Sequence, residues 1–283
     1  MSVINTNIRS LVVQNAMKVN NRNMSDTMEQ LSTGRRINSA SDDAAGLAIS
    51  ENMTAQIRGL NMAVRNANDG ISMAQTAEGA LIEISNMLQR MRELSVQAGN
   101  GTLSEEQRNY LSAEFKALAA QIDNTLTNTK WNGIAVLGSA VMTSTSTGGI
   151  VIQVGSEAGS AMTINVRGDL LSSALSAGVF SGGIGGSSTT TATSMIADVD
   201  RALEQVNKAR ANLGAVVNRL TSASDNLANI AQNLTESRSR VLDTDYAMAT
   251  TELARTQIIQ QASTAVLAQA NTQPQSVLKL LQG

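Results

Sequence analysis

The 283 residues carry a net charge of −2, 42% hydrophobic content and only 2% aromatics. That is chain enough for one or two domains, but slender aliphatic seams suit it better than a ring-filled globular core. The near-neutral charge excludes a nucleic-acid or anionic-membrane partner held by bulk charge. The absence of Cys and His removes disulfides, thiol chemistry, imidazole acid–base work and the usual zinc or haem ligands, so neither a cofactor nor an enzyme is expected.

No apolar run reaches membrane-spanning length, so membrane insertion is not expected. The start, MSVINTNIRSLVVQN, lacks the basic-then-hydrophobic pattern of a cleaved secretory signal, which predicts export, if any, by a route that does not read one. Pro274 is the only proline, and long helices are therefore unhindered.

In chain order, Met17, Met24 and Leu31 repeat at seven with Met28 between the last two, predicting an amphipathic first helix. Gly34 is a natural stop, with Arg35 and Arg36 beside the negative end of the helix dipole. Ser39 with Asp42 then reads as a helix start. Ser39, Asp42 and Asp43 are caps rather than a catalytic group, for want of any base. A second long helix is expected from about Ala44 to Gln97, with Ile57, Leu60, Val64, Ala67, Ile71 and Ala74 followed by Ala77, Leu81, Ile84, Leu88 and Met91. The extra three-residue step between Ala74 and Ala77 predicts a bend or a change of packing partner, bracketed by Gly70 and Gly79.

AGNGT is a turn, and Ser104 with Gln107 forms a capping box opening a third helix. Its face runs through Leu111, Phe115, Leu118, Ile122 and Leu126 to KWNG, where Gly133 ends it. From 141 to 194 the only charges are Glu157, Arg167 and Asp169. There IVIQVG and AMTINV read as a β-hairpin joined by SEAGS, and GGIGGSSTTTATS (182–194) as an exposed flexible loop. From about Met195 comes a helix with one residue per heptad at Val199, Val206, Leu213, Leu220, Leu227, Leu234 and Val241. Ala202, Ala209, Val216, Ala223, Ile230 and Ser237 stand three places on. This coiled-coil seam, on a rod roughly 60 Å long, cannot be buried alone. Leu253, Ile258, Ile259, Ala262, Val266 and Leu267 mark a last helix before Pro274 and an apolar tail.

The reading is a mainly α protein: a long antiparallel helical bundle or coiled coil formed by the N- and C-terminal arms, with a small β-hairpin insert. The terminal strips are too thin to hide their apolar sides and should order fully only on assembly. An alternative of another class, a signalling coiled coil, would need a membrane anchor, and none is seen.

Several stretches resemble bacterial flagellin: INTN (4–7), LSTGRRINSASDDAAGLAIS (31–50), IRGL (57–60), RNANDGISMAQTAEGALIEI (65–84), LQRMRELSVQ (88–97) and WNG (131–133). In the C-terminal arm they are LGAVVNRL (213–220), NLTESRSRVLDTDYA (233–247) and QQASTAVLAQANTQPQSVLKLL (260–281). The resemblance implies a self-assembling subunit of the extracellular flagellar filament, exported through the flagellar type III channel for swimming motility. A D0 coiled-coil domain would comprise 1–43 plus 243–283, and a D1 helical domain 44–242, with its hairpin and loop at about 141–194 and no D2 or D3. A flagellar hook–filament junction protein of the same superfamily is the nearer alternative.

The resemblance also implies partners: further copies of the chain, an export chaperone, and filament cap and junction proteins. For the host's Toll-like receptor 5 it points to Arg90, Leu94 and Gln97 as main contacts, with Gln89, Glu93 and Glu114 around them. The plainer account of Arg90 and Glu93 is a helix-surface ion pair worth a few tenths of a kcal/mol. Val277, Leu278, Leu280 and Leu281 resemble the tail bound by chaperone and by NAIP-type sensors, where the simple account is burial in the filament. The Ser/Thr run 187–194 is a candidate for O-linked glycans. The hairpin and the Gly70–Gly79 bend are candidate hinges for switching filament twist.

Overall fold

The computed structural model describes residues 7–137, 150–155, 161–164, 184–185 and 189–281, the side chains beyond 272 excepted. Five helices occur among them: α1 (Ile8–Thr33), α2 (Ala44–Ala98), α3 (Glu105–Asn128), α4 (Thr189–Leu242) and α5 (Tyr246–Leu281). Four short strands make two separate antiparallel hairpins: β1 (Lys130–Trp131) with β2 (Ile134–Ala135), and β3 (Ile150–Gln153) with β4 (Ala161–Ile164). The mainly helical fold with a small hairpin insert is therefore as expected. The chain forms two compact units, 58–231 and a unit made of 1–57 with 232–283.

Residues 58–231 are built on one aliphatic core. Leu81, Ile84, Leu88, Met91 and Leu94 of α2 meet Phe115 and Ile122 of α3 and Val199, Val206, Leu213 and Leu220 of α4, all buried. The break in phase expected near Ala74 is not there. Ala63 and Gly70 are buried where Val64 and Ile71 were expected to be, so the 3–4 alternation passes through Ala67, Gly70, Ala74, Ala77 and Leu81 without a break. Gly70 instead marks a packing partner. A Cβ there would stand 2.2 Å from Ile152 Cδ1 and 3.2 Å from Leu220 Cδ1, and Asn66 Nδ2 donates to the Gln153 carbonyl at 3.1 Å. Strand β3 thus lies across α2 where the helix has no side chain. The expected SEAGS turn lies outside the described residues.

The capping box on α3 is formed: the Gln107 N–H donates to Ser104 Oγ, and the Ser104 N–H donates to Gln107 Oε1. Gly133 does not end this helix, which stops at Asn128. Asn132 and Gly133 both have positive φ, 49° and 81°, and turn β1 into β2 as a two-residue hairpin loop requires. The 182–194 loop is also corrected: Thr189–Ser194 already belong to α4, where Ala192 and Met195 are buried and continue the seam upstream. Residues 182–183 and 186–188 lie outside the described residues, while Ile184 is buried in the core.

In the unit of 1–57 and 232–283, α1 ends where expected, at Gly34 in the left-handed conformation. The expected role of Ser39 is taken by Asp43, whose Oδ1 accepts the Gly46 N–H as α2 begins. Asp42 folds back on its own linker, its Oδ2 accepting the N–H groups of Asn38 and Ser39. Arg36 does not serve its own helix. Its guanidinium donates to the Val241 carbonyl and its N–H to the Leu242 carbonyl, so it caps the end of α4. The Thr244 N–H donates in return to the Gly34 carbonyl.

Candidate functional site

The arrangement of α1 and α5 is the feature that bears most on function. They lie antiparallel, tied at three levels by hydrogen bonds from Asn7 Nδ2 to the Ala270 carbonyl, from Asn20 Nδ2 to the Thr256 carbonyl, and from Tyr246 Oη to the Leu31 carbonyl. Asn7 also caps α1, its side chain accepting the Ser10 N–H.

Burial on α1 follows two columns, Ser10, Met17, Met24 and Leu31, and Val13, Asn20 and Thr27, with Ser10, Asn20 and Thr27 the fully buried members. On α5 the covered positions are Ala249, Leu253, Thr256, Gln260, Ser263, Leu267 and Ala270. The seam between the helices is therefore mixed: its deepest positions, Ser10, Asn20, Thr27, Ala249 and Thr256, are small or polar, and the half-buried Val13, Met17, Met24, Leu31, Leu253 and Leu267 flank them. Its hydroxyls are satisfied within their own helices, Thr27 Oγ1 donating to the Asn23 carbonyl and Thr256 Oγ1 to those of Glu252 and Leu253.

Many of the aliphatic residues are outside. Ile8, Leu11, Val12, Val19 and Met28 of α1, and Met248, Ile258, Ile259 and Val266 of α5, are all exposed, Ile258 by 66% and Met248 by 70%. Of the apolar strip expected on the last helix, only Leu253 and Leu267 meet α1, while Ile258, Ile259, Ala262 and Val266 face out. Met28, expected in the first helix's strip, also faces out. Exposed large aliphatics this numerous on two paired helices are candidates for an interaction face. Val277, Leu278, Leu280 and Leu281 continue α5, and their side chains lie outside the described residues.

The Arg90 group lies in the other unit, on α2 and α3. Arg90 donates from Nε to Glu114 Oε1 and from Nη1 to Glu93 Oε2, both at 3.0 Å. The bonds to Glu93 first, then Glu114, raise its pKa, so the guanidinium stays charged. Arg92 is bridged at 2.7 Å to Asp200 of α4. Gln89, Arg90, Glu93, Gln97 and Glu114 share an exposed neighbourhood, but Leu94 is 0% exposed in the core and lies beneath that surface. On α4, Val199, Val206, Leu213 and Leu220 are fully buried, Leu227 is 9% exposed, and Leu234 and Val241 are half-buried. Ile230 is exposed, and Ala231 takes its place in the seam.

What the sequence reading missed is the polar centre of this seam. A signal was present: Ala249, Thr256, Ser263 and Ala270 repeat at seven, as do Val13, Asn20 and Thr27. Scanning for large aliphatics passes over such columns, because small and polar residues score as solvent-facing.

The comparisons agree with this architecture. Residues 4–142 match the bacterial flagellin N-terminal helical region and residues 196–281 the C-terminal helical region. A flagellin of Halalkalibacterium halodurans is 43% identical over 99% of both chains, and one of Bacillus subtilis is 42% identical over 98% of this chain and 99% of its own. The crystal structure of Bacillus cereus flagellin superposes with a TM-score of 0.50 at 32% identity, covering 58% of this chain and 88% of that one. The chain belongs to the bacterial flagellin family.

Proposed function

We propose that the chain is the structural subunit of an extracellular flagellar filament and polymerises through the outward faces of α1 and α5. The observation that carries this is the inverted distribution on those helices, with Asn20, Thr27 and Thr256 covered and Ile8, Val12, Ile258 and Val266 open. Burying a Leu or Val contributes about 1.5–3 kcal/mol, and on these faces that gain is realised only when another copy covers them. Head-to-tail contacts between identical copies that do not close generate a helical tube. Full-length similarity to proteins named flagellin favours a filament subunit over a junction protein or a signalling rod.

On this reading the D0 domain is 1–43 with 243–283 and the D1 domain is 44–242. The exchange of backbone bonds between Gly34–Arg36 and Leu242–Thr244 supports a junction there. Export through the flagellar type III channel, a chaperone on the tail residues Val277, Leu278, Leu280 and Leu281, and cap and junction partners belong to the same proposal. The test is negative-stain microscopy of purified chain after adding filament seeds: long tubes are expected, and a stable dimer without growth sinks the proposal.

A second reading concerns the exposed Gln89, Arg90, Glu93, Gln97 and Glu114, which offer a charged, hydrogen-bonded surface to Toll-like receptor 5. Leu94, being buried, would act by holding this stretch of helix in place. Full signalling by Arg90→Ala in a receptor-reporter cell assay removes it.

A further inference from the structure

The three ties between α1 and α5 set a register in which Val19 stands at the level of Ile258 and Leu11 at the level of Val266. All four are exposed. If each helix turned about its own axis, these aliphatics would face one another in place of the half-buried Val13, Met17, Met24, Leu31, Leu253 and Leu267, so aliphatic burial alone does not fix which faces meet. Something must oppose that turn in the single chain. The polar bond between the helices that lies deepest is that of Asn20, which is 7% exposed and donates at 2.9 Å to the Thr256 carbonyl.

We infer that Asn20 aims the terminal helices: its amide, fixed on the Thr256 carbonyl, keeps α1 and α5 on the faces centred on Asn20 and Thr256 and so holds Leu11, Val19, Ile258 and Val266 outward in the single chain. The physical reason is asymmetric. A turn would strip the amide of its partner or leave it against aliphatics, which costs more than the bond itself contributes. A buried Asn in a helical seam trades stability for one arrangement in this way. Asn7, at the other end, repeats the device at the Ala270 carbonyl. Asn20 is thus a positioning residue. Its use for polymerisation rests on the assembly proposal, whereas the orientation it imposes does not.

The chain has no cysteine, so one introduced thiol reports one position. In the full-length monomer, Ile258→Cys places a thiol on the open face and Thr256→Cys one in the seam. With Asn20 present, the thiol at 258 should react with a maleimide at nearly the rate of an unstructured peptide, and the thiol at 256 many-fold more slowly. In the Asn20→Leu background the order should reverse, with 258 protected several-fold and 256 released. Asn20→Ala, which removes the tie without adding an aliphatic group, should move the ratio the same way by less. An unchanged ratio in both backgrounds overturns the inference. So does equal, fast labelling of both positions, which would mean that Asn20 holds the helices together without aiming them. Because the readout is made on monomer, it is separable from any failure of seeded growth.

Discussion

Residues 58–231 and the pair α1–α5 use the same 3–4 spacing and put different residues at its deepest points. In the first, the covered columns hold Leu81, Ile84, Leu88, Phe115, Ile122, Val199 and Leu213. In the second the deepest positions are Ser10, Asn20, Thr27 and Thr256, the larger Val13, Met17, Met24, Leu31, Leu253 and Leu267 are only half-buried, and a further set of aliphatics points out. Spacing reports that a helix has a neighbour. What fills the seam reports whether that neighbour satisfies the helix. A Leu–Ile–Val seam meets its need for burial within one chain, while a seam with Ser, Asn and Thr at its deepest points leaves part of that need on the far side of each helix.

The largest test of the contrast removes one side of it. A chain lacking 1–43 and 243–283 should keep its core and lose seeded growth altogether. Growth into ordinary tubes by the trimmed chain would show that the outward faces are not the assembly surface.

Single truncations on the two sides should then separate stability from assembly. Phe115 is wholly buried, and Phe115→Ala should cost about 3–5 kcal/mol. Trp131 is the only tryptophan and packs against this core, so urea unfolding followed by its fluorescence reads residues 58–231. Ile258→Ala removes an aliphatic group of comparable kind that is 66% exposed. In the monomer it should change helicity and melting by no more than about 0.5 kcal/mol, yet slow seeded elongation markedly. If Ile258→Ala destabilises the monomer as Phe115→Ala does, the two regions follow one rule and the contrast is lost.

Two glycines sharpen the account of the core. At Gly70 a Cβ would collide with Ile152 Cδ1, whereas at Gly79 nothing lies within 4 Å. Gly79→Ala should therefore stabilise α2 by roughly 0.5–1 kcal/mol through helix propensity. Gly70→Ala should be net destabilising by about 1 kcal/mol, overpacking against the hairpin exceeding the same propensity gain. The opposite signs, read from urea midpoints, are the result that matters. Two stabilising effects would mean that β3 does not press on α2 at Gly70.

Much of this was legible in the residues, for identifiable reasons. Large aliphatics at heptad spacing on α4, the Ser104–Gln107 box and the Gly34 stop are local signals whose chemistry needs no distant partner. The stretches matching flagellin supplied the family. The errors have one physical root, the misreading of small and polar residues. Ala63 and Gly70 were passed over for Val64 and Ile71, which produced a break in phase that the burial pattern does not have. Asn132–Gly133 was read as a helix stop although both residues suit the positive φ of a hairpin loop. The heptad columns through Thr256 and Asn20 were overlooked for Ile258, Ile259 and Val266. In each case a neighbour in space, invisible along the chain, set the value of having little or no side chain. Leu94 is the converse: its place in a recognisable motif says nothing of depth, and only the packing of α2 shows it to be covered.

The smallest expected effect lies in the linker between α1 and α2, where Ile37 is buried but the turn before α2 is held by polar bonds to Asp42. Asp42 accepts the Ser39 N–H at 2.9 Å and the Asn38 N–H at 3.0 Å. These bonds, the one from Ser39 first, hold its carboxyl below the usual carboxylate value. A group whose pKa is lower folded than unfolded supports the fold above its ordinary value, and that support is lost as pH falls through the lowered one. Amide protection at Asn38 and Ser39, normalised to an unstructured peptide, should accordingly hold steady at neutral pH and decline only below the ordinary carboxylate range. Asp42→Asn removes the titration, so its protection should already be reduced at neutral pH and then stay flat. A decline that persists in Asp42→Asn would place the acid response elsewhere, and the linker would no longer differ from the aliphatic seams on either side of the comparison in being set by charge.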